Sequence, residues 1–191
     1  YYTVEQLNCE RSRTESDFSA MSNIFDYKST DVYKDIDVVF IDSGMVSNEY
    51  LSMKAQVDLT FKLLSRFGSK SLVWKLGPYC DQEKIDYVCL RCSEKANISV
   101  DMENRSVPWE VIFFNNKDTL SYVNLATYMS TAAFSPSFFF GVKTDITILS
   151  KLVTEGTEMS VLYRSLHDNY CIFGKSIRKY YPDNVIDIPE I

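Results

Sequence analysis

The stretch DVVFIDSG (residues 37–44) carries the strongest fold signal in this chain. Its apolar run VVFI is continuous and ends abruptly at Asp42. An apolar run without polar alternation is typical of a parallel strand that is buried on both faces. The stretch therefore predicts a central strand of an α/β sheet, with an acid at its carboxyl end.

A helix and a second strand are predicted directly after this strand. Ser47 is a good N-cap, apolar residues then recur at three- and four-residue spacing, and Gly68 is placed to end the helix. The next apolar run, residues 72–76, contains Lys75 and stops at Gly77. A strand, a helix and a strand in this order form a βαβ unit, so the sheet is expected to be at least partly parallel.

Apolar runs and polar breaks predict the remaining elements of the first part of the chain. Further strands are predicted at residues 2–4, 18–27, 85–90 and 111–114, with a polar, hairpin-like stretch at 93–105. We expect a mostly parallel, Rossmann-like α/β core over residues 1–118, with helices on both faces of the sheet.

The last part of the chain has weaker patterns. They predict a helix at 120–133, a helix or strand at 146–153 and a hairpin-like pair at 170–179. We assign residues 119–191 to a C-terminal α+β extension that packs on the same domain.

Composition limits the classes of function. The chain of 191 residues has a formal net charge of -6, which argues against a broad basic surface for long nucleic acids but leaves local binding of a short RNA end open. No apolar run approaches the roughly 18 residues that span a membrane. Five cysteines, an odd number, favour a reducing compartment over a disulfide framework. These features predict a soluble cytoplasmic protein without a membrane partner.

Three ionisable residues lie at the ends of apolar runs: Asp42, Lys75 and Glu110, the last in WEVIFF (109–114). Open α/β sheets bind ligands at the carboxyl edge, so these residues are candidate catalytic groups. A desolvated lysine amine has a lowered pKa and can act as a base, whereas nearby carboxylates hold it charged. The alternative is that Lys75 extends out of the sheet edge and pairs with a surface acid.

The series DVVFIDSG, amphipathic helix, SLVWKLG (71–77) and WEVIFF resembles the second half of FtsJ-like ribose 2′-O-methyltransferases, especially those of RNA-virus capping enzymes. These enzymes use a Lys-Asp-Lys-Glu tetrad to transfer a methyl group from S-adenosylmethionine to a ribose 2′-hydroxyl. The resemblance implies that Lys75 is the base, that Asp42 and Glu110 support it, and that the partner is an RNA 5′ end or cap.

The same resemblance implies a cofactor site. It places Glu5 at the ribose of S-adenosylmethionine and Asp26 at its adenine, with Glu10 as the alternative to Glu5. The glycine-rich first loop of the family is missing, since no glycine precedes Gly44. The first lysine of the family's tetrad, which lies upstream of that loop, is missing as well. The resemblance therefore covers residues 1–115 and implies either part of a larger methyltransferase, lacking its first strand, or a relative that no longer binds cofactor.

Two other classes of function remain open. One is a catalytically inactive methyltransferase-like scaffold that binds other replication or capping subunits of a virus. The other is a von Willebrand factor A-like adhesion domain, whose Asp-x-Ser-x-Ser metal motif is degenerate here because Gly44 and Val46 replace the serines.

Cys89 and Cys92 have the spacing of a zinc half-site, but buried thiols without a ligand are the preferred interpretation, and no metal is predicted.

Overall fold

The computed structural model describes residues 11–42, 52–128, 130–149 and 185–186. Their strands form one sheet in the order β3-β2-β1-β4-β5-β6, and every neighbouring pair is parallel. The strands are β1 (Val38–Ile41), β2 (Leu72–Lys75), β3 (Ile98–Val100), β4 (Asn124–Thr127), β5 (Ile146–Ile148) and β6 (Val185–Ile186). This order is that of a Rossmann-like sheet, with the topological switch point between β1 and β4.

Helices cover both faces of the sheet, as the sequence predicts. They are α1 (Arg11–Ile24), α2 (Met53–Leu64), α3 (Gln82–Ser93), α4 (Trp109–Asn115), α5 (Lys117–Leu120) and α6 (Ser135–Phe140). Within the described ranges, no helix has the length and apolar character needed to cross a membrane.

The core consists of two layers, because alternate residues of a strand point to opposite faces. Val38 and Phe40 of β1 pack in one layer with apolar residues of α2 and α3. Val39 and Ile41 pack in the other layer with residues of α1 and α4. All four side chains are buried, which confirms the prediction from VVFI that this strand is covered on both faces.

The helix after β1 is shorter than predicted. It begins at Met53, where the Ser52 hydroxyl accepts a hydrogen bond from the Ala55 amide at 3.3 Å. A 3-10 turn and then Gly68, with a φ of 69°, end it, so the predicted end is confirmed. The predicted N-cap Ser47 lies outside the described residues, as do the strand at 2–4 and the hairpin-like pair at 170–179.

Three predicted strands are helices in the structure. Residues 18–27 fall largely in α1, residues 85–90 lie within α3, and residues 111–114 lie within α4. In α3 the buried residues Ile85, Val88 and Cys92 follow helical spacing, and Asp81 caps the helix by accepting from the Lys84 amide at 2.8 Å. A short apolar run such as VIFF does not distinguish a strand from a helix that is buried on most sides.

Conversely, strands occur where the sequence predicted other structure. β3 lies in the polar stretch 93–105, and β4 lies in the predicted helix 120–133. The segment 146–153, left open between helix and strand, contains β5. Because β4 pairs with β1, part of the segment assigned to the C-terminal extension belongs to the centre of the sheet.

Candidate functional site

The carboxyl ends of the parallel strands meet at one edge of the sheet. Asp42 follows β1, Lys75 ends β2, Asp101 follows β3 and Thr127 ends β4. Asp42 therefore lies at the topological switch point, where open α/β sheets bind their ligands. The prediction that Asp42 and Lys75 share this edge is confirmed by the parallel register that pairs Ile41 with Lys75.

Asp42 is paired with Lys84, a residue that the sequence analysis did not select. The Lys84 Nζ lies 2.6 Å from the Asp42 Oδ2, and the two side chains are 16% and 6% exposed. Burial acts to lower the pKa of Lys84, but the charge and hydrogen bond of Asp42 raise it above the usual value. Trp74 Nε1 at 3.5 Å and Cys80 Sγ at 3.7 Å also approach the Asp42 Oδ2.

A sequence signal for Lys84 exists. Lys84 lies in the first turn of α3, where the helix dipole disfavours a positive charge. A lysine at such a position requires a nearby acid, and here Asp42 of the neighbouring loop supplies it.

Lys75 is buried, with 3% of its surface exposed. Its Nζ donates hydrogen bonds to the carbonyl oxygens of Leu76 at 2.8 Å and Arg105 at 2.9 Å. Burial lowers the pKa of Lys75 to about 8, although the charges of Asp101, Cys80, Asp42 and Glu110 act to raise it. With this pKa about one amine in ten is neutral at pH 7, and the neutral form that a general base needs predominates only above about pH 8.

A buried network holds the loop whose carbonyl binds Lys75. Asp101, which is 1% exposed, accepts hydrogen bonds from the Tyr33 hydroxyl at 2.8 Å and the Asn104 amide at 3.0 Å. The Asn104 side chain pairs in turn with the backbone of Lys28, accepting at 2.8 Å and donating at 2.9 Å. These bonds fix residues 101–104 directly before Arg105. Asp101 has no sequence signal of its own because β3 is short and lies in a polar stretch.

The sequence predicted that Glu110 lies at the end of a strand. In the structure it lies near Lys75 but on a helix. It occupies the first turn of α4, after Pro108. Burial raises the pKa of Glu110, while the backbone amide, the Ser135 hydroxyl and the charge of Lys75 act to lower it. The structure thus places Asp42 and Glu110 within electrostatic reach of Lys75, with Glu110 supplied by a helix.

Of the two predicted cofactor residues, the structure describes only Asp26, and it does not lie at a strand end. Asp26 follows helix α1 rather than a strand, has a φ of 52°, and forms an exposed ion pair with Lys28. Its predicted position was therefore wrong, since the strand at 18–27 does not exist. Glu5 and its alternative Glu10 lie outside the described residues.

A cleft of 210 Å³ opens at the carboxyl edge along the loop that follows Lys75, although Lys75 itself does not line it. The loop after β2, the first turns of α3 and the loop before α4 line it, through Leu76, Gly77, Pro78, Cys80, Gln82, Ile85, Arg105 and Ser106. The two carbonyl groups that bind the Lys75 amine belong to Leu76 and Arg105. The amine is therefore held between two residues of the cleft wall.

The cysteine pair gives no sign of a metal site. Cys89 and Cys92 lie on α3, and burial raises the pKa of Cys92 to about 12, which favours an uncharged thiol. The Cys89 Sγ lies 3.6 Å from the Met102 Sδ. Within the part of the chain that the structure describes, no group of three or more histidine, cysteine, aspartate and glutamate residues is arranged to hold a metal ion.

Comparison with known proteins gave no match among protein-family models, curated proteins or solved structures.

Proposed function

We propose that this chain carries the catalytic edge of an RNA ribose 2′-O-methyltransferase. The observation that carries the proposal is the position of the Lys75 amine, buried at the carboxyl edge, next to a cleft and within electrostatic reach of Asp42 and Glu110. A lysine in these surroundings can take a proton from a hydroxyl group in the cleft.

The proposed chemistry of this chain is proton transfer. A neutral Lys75 amine accepts the proton of a ribose 2′-hydroxyl and becomes an ammonium ion. Its two carbonyl partners, Leu76 and Arg105, then stabilise the added charge because they accept hydrogen bonds. Asp101 and Glu110 contribute negative charge on the same side of the sheet.

Lys84 adds a second lysine to this edge, which also holds Lys75 and the acids Asp42, Asp101 and Glu110. It neutralises Asp42 and orients its carboxylate, so that Asp42 acts on Lys75 through its field and not through a direct ion pair. In this proposal Lys84 is a positioning residue. It supplies the positive charge that the first lysine of the tetrad, which is missing from this sequence, would otherwise bring.

The described residues do not form a cradle for S-adenosylmethionine. The glycine of the described carboxyl edge is Gly77, where an added Cβ would meet the Asp42 carbonyl oxygen at 3.5 Å, an ordinary contact. The methyl donor therefore enters the proposal through the sequence resemblance only. An RNA 5′ end or cap as acceptor, association with other capping subunits and a cytoplasmic location are proposed on the same basis.

A second candidate is an inactive scaffold of the same fold. Two observations favour it. The Lys75 amine already donates hydrogen bonds to two backbone carbonyls, and the Asp42 carboxylate is already paired with Lys84. The adhesion-domain alternative has less support, because the Lys84 amine lies against the carboxylate that a cation would need.

Calorimetric titration distinguishes these candidates. The methyltransferase proposal predicts that S-adenosylmethionine binds through residues outside those described, whereas Mg²⁺ titrated in its place gives no heat of binding. A chain that binds neither ligand supports the scaffold, and a chain that binds Mg²⁺ through Asp42 supports the adhesion domain. Lys62→Met, on the exposed face of α2, is the control for nonspecific loss of binding.

A further inference from the structure

The cleft beside Lys75 has features of a binding site that the proton-transfer proposal does not use. Tyr79 does not line the cleft, but its chain neighbours Pro78 and Cys80 do, which puts it at the rim, and the residue is 97% exposed. An exposed tyrosine ring is hydrated unfavourably, because most of its surface is apolar. Next to a cleft, its aromatic face is open to stacking by a flat ligand.

Arg105 adds a positive charge to the same cleft. Its backbone carbonyl holds Lys75, but its side chain takes part in none of the ion pairs among the described residues. Three acids, Asp81, Glu83 and Asp86, directly adjoin lining residues in the sequence, and none of them forms an ion pair with Arg105 among the described residues. Asp81 caps α3, and Asp86 accepts a hydrogen bond from the Gln82 side chain at 2.7 Å. The guanidinium is therefore available for an external anion, and Ser106 offers a hydroxyl beside it.

The size of the cleft limits what it can hold. Its 210 Å³ is below the roughly 300 Å³ at which pockets begin to enclose whole drug-sized ligands. A sugar and phosphate fit this volume better than a complete nucleotide does, so a base would stay outside, at the rim where Tyr79 lies.

We infer that the cleft binds one nucleotide of single-stranded RNA, with the ribose and phosphate in the cleft, Arg105 on the phosphate and the base stacked on Tyr79. This inference deepens the proposed function and rests on it for the identity of the acceptor. The ribose would then lie beside the wall that holds the Lys75 amine. A single local contact of this kind is compatible with the negative net charge of the chain.

The test uses fluorescence anisotropy with a labelled single-stranded RNA of about six nucleotides, without a methyl donor. We expect Tyr79→Ala to raise the Kd at least about fivefold, because base stacking is lost. We expect Arg105→Gln to weaken binding and to reduce the slope of log K against log salt by about 0.7, the value for one phosphate contact on a single strand.

Matched controls lie at the opposite edge of the sheet. Tyr122, which is 92% exposed, precedes β4, and Arg66 lies in the turn after α2. Tyr122→Ala and Arg66→Gln should leave the Kd and the salt slope unchanged. Circular dichroism of all four variants checks that they fold.

Three outcomes overturn the inference: no binding of the RNA, equal losses in the test and control variants, or no loss in Tyr79→Ala and Arg105→Gln. Failure of the inference is separable from failure of the proposed function. RNA binding through Tyr79 without methyl transfer leaves the inference intact, whereas methyl transfer that is insensitive to Tyr79 and Arg105 removes the inference only.

Discussion

The carboxylate of Asp42 and the amine of Lys84 lie 2.6 Å apart and join the end of β1 to the first turn of α3. This ion pair covers the topological switch point of the sheet. Both side chains are mostly buried, so each one depends on the other for compensation of its charge. The pair is therefore central both to the stability of the carboxyl edge and to the field that acts on Lys75.

Removal of Lys84 should destabilise the fold. Lys84→Met leaves the Asp42 carboxylate buried without its cation, and we expect a loss of about 3 kcal/mol in the free energy of unfolding. Urea denaturation measures the loss. Lys62→Met, an exposed lysine of α2, should change stability by less than about 0.5 kcal/mol.

The double variant Asp42→Asn with Lys84→Met tests whether the effect belongs to the pair. Its loss should be smaller than the sum of the two single losses, because the second substitution removes a charge that is already unpaired. Additive losses would show that the two residues do not interact.

Lys75 should give the protein a characteristic pH dependence. Its pKa is lowered from 10.5 to about 8 in the folded state, so the unfolded chain binds more protons between these two values and stability rises with pH there. Relative to Lys75→Met, the wild type should gain roughly 2 kcal/mol between about pH 7 and about pH 10. Urea denaturation of both proteins at each pH measures the gain. A difference in the free energy of unfolding that does not change with pH would contradict the lowered pKa of Lys75.

The network around Asp101 should control the pKa of Lys75. Asp101→Asn removes the largest of the charges that raise this pKa, so the pKa should fall further below about 8. Titration of the Lys75 Cε resonance by carbon-13 NMR measures the change.

Tyr33→Phe is the matched variant, since it removes the hydrogen bond to Asp101 but keeps the carboxylate charge. It should cost about 1 to 3 kcal/mol of stability without lowering the pKa of Lys75. Equal pKa shifts in both variants would assign the effect to loop position and not to charge.

The sequence was sufficient to predict those elements whose local pattern matches their place in the sheet. The run VVFI and the strand that ends at Lys75 are continuous apolar segments closed by a charge, and both lie as predicted. The amphipathic helix between them was predicted because its apolar residues recur at helical spacing on a buried face, while Lys54, Asp58 and Lys62 are exposed.

The sequence was insufficient where tertiary packing decides. The run around Glu110 is buried on most sides in α4, so its apolar pattern carries no period and was assigned to a strand. Asp101 acquires its role through a contact with Tyr33, which is distant in sequence, so no local pattern identifies it. The place of Lys84 in the first turn of a helix is a local signal, but its partner Asp42 is brought to it only by the fold.

The most direct test of the proposed function is the pH profile of methyl transfer from labelled S-adenosylmethionine to a capped RNA, for the wild type and for Lys75→Arg. A general base with a pKa of about 8 predicts a rate that rises with pH and levels off above that value. Lys75→Arg should be inactive, because a guanidinium stays protonated at every pH of the assay, and its circular dichroism spectrum shows whether the buried charge leaves the fold intact. Methyl transfer that persists in Lys75→Arg, or its absence from the wild type, would contradict the role of Lys75.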